Sequence, residues 1–149
     1  MSKNTGIVKD RRYLLHGAGV AHPETPQRLA SVYEMLETPD MVWKFTGIDA
    51  RMATAEELER VHHRAYIETI AATAGKSLTM LDPDTMATAG SYDAARLAAG
   101  GVINAIDAVV SREVDNAFAL VRPPGHHAQP ATAAGFCLFN NIAVGAGWA

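Results

Sequence analysis

Ala117-Phe118-Ala119-Leu120-Val121 is apolar at every position, and it runs directly into Arg122-Pro123-Pro124-Gly125-His126-His127. Five apolar residues without alternation are the pattern of a strand buried on both faces, as in a parallel sheet covered by helices. Functional loops of open parallel sheets lie beyond the carboxyl ends of their strands, so the segment from Arg122 onward is the first place to look for chemistry. Upstream, Ser91 can cap a helix of about 20 residues in which Leu97, Val102, Ile106 and Val109 or Val110 recur on one side. A helix leading into a buried strand is α/β grammar. Gly100-Gly101, in the middle of that helix, predicts the close approach of another backbone, since each glycine costs about 1 kcal/mol relative to alanine there.

Working toward the N-terminus, Asp82-Pro83-Asp84-Thr85 reads as an acidic turn. Tyr66 to Ala74 reads as a helix stopping at Gly75, and Thr54 with Glu57 has the capping-box spacing that starts another, carrying Leu58 and Val61. Thr25-Pro26 opens a helix whose apolar stripe is Leu29, Val32, Tyr33 and Leu36, ended by Pro39. Gly6-Ile7-Val8 and Tyr13-Leu14-Leu15, around the charged patch Lys9 to Arg12, suit a strand followed by a turn. At the other end Asn140 can cap a last helix, Asn141 to Ala149.

A chain of 149 residues has room for one domain, burying roughly 68–70% of the surface its unfolded form exposes. Alanine accounts for 27 residues, a helix-rich composition, and the lone Cys137 cannot form an internal disulfide. All 29 charged residues lie between Lys3 and Arg122, so positions 123–149 carry none. Such a tail is rarely solvent-facing, yet His126, His127, Gln129, Asn140, Asn141 and three prolines interrupt it well short of the ~20 apolar residues of a membrane span. The polar start Ser2-Lys3-Asn4 lacks the apolar run of a signal peptide, so a cytoplasmic protein is expected. The net charge of −3, without a Lys/Arg cluster, argues against a nucleic-acid partner.

His126-His127 is the sharpest local feature. Two imidazoles side by side can divide the roles of base and acid near neutral pH. A chance pair in a surface loop and two ligands of a metal are the competing readings, and consecutive residues in an extended loop point in opposite directions. Spacing alone leaves the three open.

The run Arg122-Pro123-Pro124-Gly125-His126-His127-Ala128 followed by Gly135-Phe136-Cys137-Leu138-Phe139-Asn140-Asn141 resembles the zinc-dependent histone deacetylase family, together with its bacterial relatives that act on acetylated polyamines and other acetylated amines. His22-Pro23-Glu24-Thr25-Pro26-Gln27-Arg28-Leu29, Val61-His62 with Tyr66-Ile67, and the segment Asp82 to Tyr92 before a long helix fall in the family's order. The resemblance covers the chain from about Ile7 and implies an α/β fold, a three-layer arginase/deacetylase-like parallel sheet flanked by helices. The implied reaction is hydrolysis of an acetyl-lysine-like amide by a zinc-bound water. By resemblance, His127 is the general base and His126 its electrostatic partner or proton donor. Phe136 matches the wall of the channel holding the acyl-lysine stem, and Gly135 a position where backbone approaches substrate. Cys137 lies near the channel floor, as a small buried hydrophobe. An acid in the Asp82–Asp84 loop, Asp84, is a candidate for holding the substrate backbone at the rim, with a turn carrying a helix-capping Asp as the other reading.

In some members, histidines at the positions of His16 and His22 join cysteines around a structural zinc. This chain has no cysteine nearby, so they are expected to order loops by hydrogen bonding. His62 and His63 are expected on a helix, one packed and one exposed. The family's zinc ligands, an Asp-x-His pair and a later Asp, lie downstream of the segment seen here, as do its carbonyl-polarising tyrosine and the acids that orient the histidines. Residues 1–149 are therefore expected to be the N-terminal portion of a single deacetylase domain, with Zn2+ belonging to the complete domain and no metal ligand named in this chain. The other expectation is a noncatalytic remnant or partner-binding module. Without later strands, Ala117–Val121 would form an exposed hydrophobic edge prone to self-association.

Overall fold

A computed structural model describes residues 4–149. In chain order it contains β1 (Thr5–Val8), a 3-10 turn (Arg11–Leu15), α1 (Pro26–Leu36), β2 (Thr46–Ile48), α2 (Ala55–Glu59), α3 (Arg64–Ala71), β3 (Thr79–Asp82), β4 (Thr85–Ala87), α4 (Ser91–Val110), β5 (Asn116–Ala119) and α5 (Asn141–Trp148). The main sheet is parallel, with strand order β2-β1-β5. Ile7 sits opposite Gly47 on one side and Phe118 on the other. β3 and β4 form a separate antiparallel hairpin, and Asp82-Pro83-Asp84-Thr85 is its turn, as the sequence predicts. An α/β parallel sheet flanked by helices is thus the architecture, and no helix among the described residues is long and apolar enough to cross a membrane.

Local signals explain several boundaries. Thr54 and Glu57 make the predicted capping box in full, and the Asn140 side chain accepts from Ala143 N to cap α5. α1 begins at Pro26, although its N-cap Thr25 makes no side-chain bond. It ends at Leu36, three residues before Pro39, in keeping with the exclusion of proline and its predecessor from helices. α3 is shorter than its pattern, stopping at Ala71.

α4 corrects two expectations. Its N-cap is Gly90, and Ser91 is already helical; the buried Ser91 hydroxyl turns back to accept from Thr88 N at 2.7 Å and meets His16 Nδ1 at 2.8 Å. The face toward the core is made of small residues, Ala94, Ala95, Ala98, Ala99, Gly100 and Gly101 around Leu97 and Ile103, whereas Val102, Ile106 and Val109 are only part-buried and Val110 is exposed. Small residues are needed because a Cβ at Gly100 would run into Arg51 O and Ala53 N, the predicted close backbone approach, whereas at Gly101 it would meet side chains, the Tyr13 hydroxyl and Val8 Cγ1.

β5 departs furthest from its reading. The strand covers Asn116–Ala119, pairs only with β1 among the described residues, and leaves Phe118 62% exposed. Leu120 N still donates to Val8 O of β1 at 3.0 Å, and Leu120 and Val121 pack against a cluster of Tyr13, Leu29, Tyr33, Leu97 and Ala98. A second, larger cluster joins Leu58, Tyr66, Ile67, Ile70, Ile103, Leu138, Phe139 and Val144. It places the segment after β5 against α2–α5, and so fixes the loop that carries the paired histidines.

Candidate active site

His126 and His127 occupy a tight turn rather than an extended loop. Ala128 N donates to Gly125 O at 3.1 Å, which makes the two histidines the central residues. Their ring centroids lie 4.3 Å apart at 51°, and both rings are exposed. The expectation that neighbours point apart assumed extended backbone; a closed turn brings both imidazoles to one place.

The turn is braced from below. A Cβ at Gly125 would collide with Asn141 N and Phe139 O, so the loop lies directly on the start of α5. His62, 1% exposed, joins both ends of the loop: Asn140 N donates to Nε2 at 2.9 Å, which puts the ring proton on Nδ1 for donation to Gln129 O at 3.0 Å. Burial lowers the pKa of His62, keeping it neutral in this role. His62 and His63 are the expected packed and exposed pair, but they lie between α2 and α3, and His63 is the N-cap of α3. Asn140 Nδ2 donates to Ala128 O and Asn141 Nδ2 to Pro123 O, both at 3.1 Å. Asn141 Oδ1 is buried with no hydrogen-bond partner among the described residues.

Arg122 anchors the head of the loop. Its Nε and one terminal nitrogen donate to the two Glu24 carboxylate oxygens at 2.7 and 2.6 Å, and the other terminal nitrogen donates to Tyr13 O and His16 O. Glu24 and Arg122 lie 98 positions apart, and nothing in either local pattern links them.

Opposite the histidines, Ala134 and Cys137 exchange backbone hydrogen bonds around a turn centred on Gly135-Phe136, with φ of +55° and +70°. Two successive positive φ angles are the signature of a type I′ turn, which glycine enters freely and phenylalanine at a cost. Gly135 is constrained twice, because a Cβ there would lie 2.6–2.9 Å from His127 Cδ2, Cγ and Cβ. The space a side chain would occupy is filled by the His127 ring. Cys137 is fully buried beneath, and burial raises its thiol pKa, so it stays protonated.

Asp84 joins this group through two neighbours. Thr85 Oγ1 accepts from Phe136 N at 3.0 Å and donates to Asp84 Oδ1 at 2.8 Å. His22 Nε2 meets Asp84 O at 3.1 Å, and the His22 ring packs edge-on against Phe136 with centroids 4.6 Å apart. Asp84 caps no helix; it sits in the β3–β4 turn, its own N–H bonded to Asp82 Oδ1. His16 and His22 order loops as expected, His16 by bonding Ser91 and His22 by accepting from Glu24 N. No local sequence pattern marks the roles of Thr85, Glu24 and the doubly bonded His62, since their partners are distant in the chain.

No three His, Cys, Asp or Glu side chains among the described residues are grouped to hold a metal ion. A catalytic zinc takes three protein ligands, so the donors grouped among the described residues do not fit that ion by themselves.

Comparison with known proteins finds relatives along nearly the whole chain. The histone deacetylase domain matches residues 22–149. A probable deacetylase of Archaeoglobus fulgidus is 38% identical over 146 residues, covering 97% of this chain and 40% of that protein. The polyamine deacetylase HDAC10 of Danio rerio is 39% identical over 129 residues, 83% of this chain and 19% of that protein. The crystal structure of the HDA15 HD domain superposes with a TM-score of 0.90 at 38% identity, covering 97% of this chain and 42% of that one. The chain thus spans well under half the length of each of these relatives. With a family model that matches residues 22–149, where the paired-histidine turn and the Gly135-Phe136 turn both lie, the chain belongs to the histone deacetylase family.

Proposed function

We propose that this chain supplies the paired histidines and one channel wall for hydrolysis of acetyl-lysine-like amides, with acetylated lysine or another acetylated amine as substrate. The observation that carries this reading is the packing of His127 on Gly135, which sets an exposed imidazole pair beside Phe136. In this reading His127 takes a proton from the attacking water, His126 supports the resulting charge, and the imidazolium returns a proton to the departing amine. Phe136 lies along the acyl-lysine stem and the Asp84 carboxylate holds the substrate backbone. We place the 149 residues as the N-terminal portion of a single deacetylase domain that uses Zn2+, with its ligands in other segments. Coverage of 40% of the archaeal relative supports this placement, as do the open edge of β5 and the unpartnered Asn141 Oδ1.

The test is a longer polypeptide that continues this chain as its relatives do, assayed on an acetyl-lysine peptide and an acetylated polyamine. Hydrolysis is expected, with His127→Ala reducing the rate by about 10²–10⁴-fold, the usual worth of general acid–base catalysis. An unchanged rate removes His127 from the role of base. The exposed Phe118 on an open strand favours a second reading, a noncatalytic module that binds a partner or a second copy through β5. Stoichiometric zinc and turnover by the 149-residue chain alone would exclude it.

A further inference from the structure

Asp84, Thr85, Phe136 and His22 close a ring at the edge of the proposed site, and two of them, Thr85 and His22, have no part in the chemistry above. Thr85 is fully buried and its hydroxyl is used in both directions. The Phe136 N–H can only donate, so the single hydroxyl proton is left for the Asp84 carboxylate, which only accepts when ionised. His22 is fixed in the same way. Glu24 N donates to its Nδ1 at 3.1 Å, which places the ring proton on Nε2, facing Asp84 O at 3.1 Å. The same ring packs edge-on against Phe136 at 85°. Asp84 is therefore held at its carboxylate and at its carbonyl, and both supports lead to Phe136.

Phe136 itself needs holding. Its φ of +70° is a conformation that a bulky L-residue leaves unless its surroundings over-determine it. Thr85 binds its amide and His22 packs on its ring.

We infer that Thr85 and His22 are positioning residues that lock Asp84 to Phe136, so that the group holding the substrate backbone and the wall lining the acyl-lysine stem keep one fixed spacing. This inference rests on the deacetylase reading for the roles of Asp84 and Phe136. A fixed spacing acts on how substrate is seated and leaves the proton transfers at His126 and His127 alone, so loss of the ring appears in KM rather than in kcat.

Two measurements test it separately. In the 149-residue chain, hydrogen exchange at the Phe136 amide reads the ring without any activity. Thr85→Val, which keeps the shape and removes the hydroxyl, is expected to speed that exchange at least about tenfold while the Cys137 amide, bonded to Ala134 O, is unchanged; Thr85→Ser stays within about twofold of wild type. In the longer polypeptide, Thr85→Val is expected to raise KM for an acetyl-lysine peptide about fivefold, the net worth of one hydrogen bond, with kcat within about twofold, and Thr85→Ser is expected to restore KM. Should Thr85→Val fail to fold, His22→Ala carries the same expectation for KM from the half-buried side of the ring. Unchanged Phe136 exchange, a kcat loss at constant KM, or failure of Thr85→Ser to restore KM overturns the proposal. A wild-type polypeptide without turnover overturns the deacetylase reading and with it the ring's effect on KM, while the exchange measurement still decides whether the ring holds Phe136.

Discussion

Arg122 is 3% exposed and donates from all three guanidinium nitrogens, two of them to the Glu24 carboxylate. A buried ion pair adds little over a well-packed apolar pair, but removing one partner strands the other charge at a cost of about 3–5 kcal/mol. Arg122→Met is therefore expected to lower stability by that amount in urea unfolding. Arg122→Lys is expected to recover only part of the loss, because one ammonium cannot fork across both carboxylate oxygens and reach two carbonyls. His16 beside this pair makes stability depend on pH. Burial above all, then the Arg122 charge, pulls its pKa down to about 4, with the carboxylate of Glu24 opposing and His22 adding slightly. An unfolded histidine titrates near 6.5, so between about 6.5 and 4 the unfolded chain binds the extra proton and stability falls as pH falls. The full effect, below both values, is of order 3 kcal/mol. His16→Asn is expected to flatten the fall of the thermal midpoint between pH 6.5 and 4; an unchanged slope would assign it to other groups. At this scale the paired histidines, Gly135 and Phe136 were legible because short motifs carry them. Glu24, Thr85 and His62 were not, because each acts through a partner 51 or more positions away.

α4 shows where element-level signals succeed and where they mislead. Of Gly100-Gly101, Gly100 lies against another backbone as the pair predicts while Gly101 lies against side chains, and the Gly100 crossing decides what a substitution does. Alanine at an exposed helical glycine gains about 1 kcal/mol of helix propensity, whereas overpacking costs about 1–3 kcal/mol. At Gly100 the obstacle is the backbone of Arg51 and Ala53, which cannot swing aside as a side chain can. Gly100→Ala is expected to destabilise by at least about 1 kcal/mol net. Gly147→Ala in α5, where the nearest atom to a new Cβ is Arg60 Cβ at 3.5 Å, is expected to be neutral or stabilising by up to about 1 kcal/mol. Thermal unfolding of the two variants side by side checks the contrast. The capping box of α2 was readable because both partners lie within one turn. β2 gave no signal, since Thr46-Gly47-Ile48 is a strand only by virtue of its pairing with β1. Ser91 was shifted by one position because its hydroxyl serves the turn before the helix instead of the helix amides.

For the molecule as a whole, the apolar reading of Ala117–Val121 and the uncharged stretch 123–149 meet at one face. Val102, Ile106, Val109 and Val110 of α4, Ala117 and Ala119 of β5, and Ile142 of α5 line one shallow apolar depression, with Phe118 62% exposed on the same strand. Ala117–Val121 reads as a strand buried on both faces, but β5 pairs only with β1 among the described residues and leaves Phe118 62% exposed, so its other edge is open to a neighbour that strand pairing between distant segments would have to supply. β5 offers that neighbour a row of unpaired backbone groups beside an apolar surface, which is the usual template for strand addition. The 149-residue chain is accordingly expected to associate as concentration rises, by light scattering and sedimentation. Phe118→Lys places a charge on the open strand, away from the paired histidines and from both core clusters, and charged residues on an edge strand oppose further pairing. It is expected to shift the population toward monomer while leaving the thermal midpoint of the monomer within a few degrees. Association that ignores Phe118→Lys but yields to Val110→Lys would move the contact from the strand to the α4 surface. A wild-type chain that stays monomeric at high concentration would remove the edge as an interaction surface altogether.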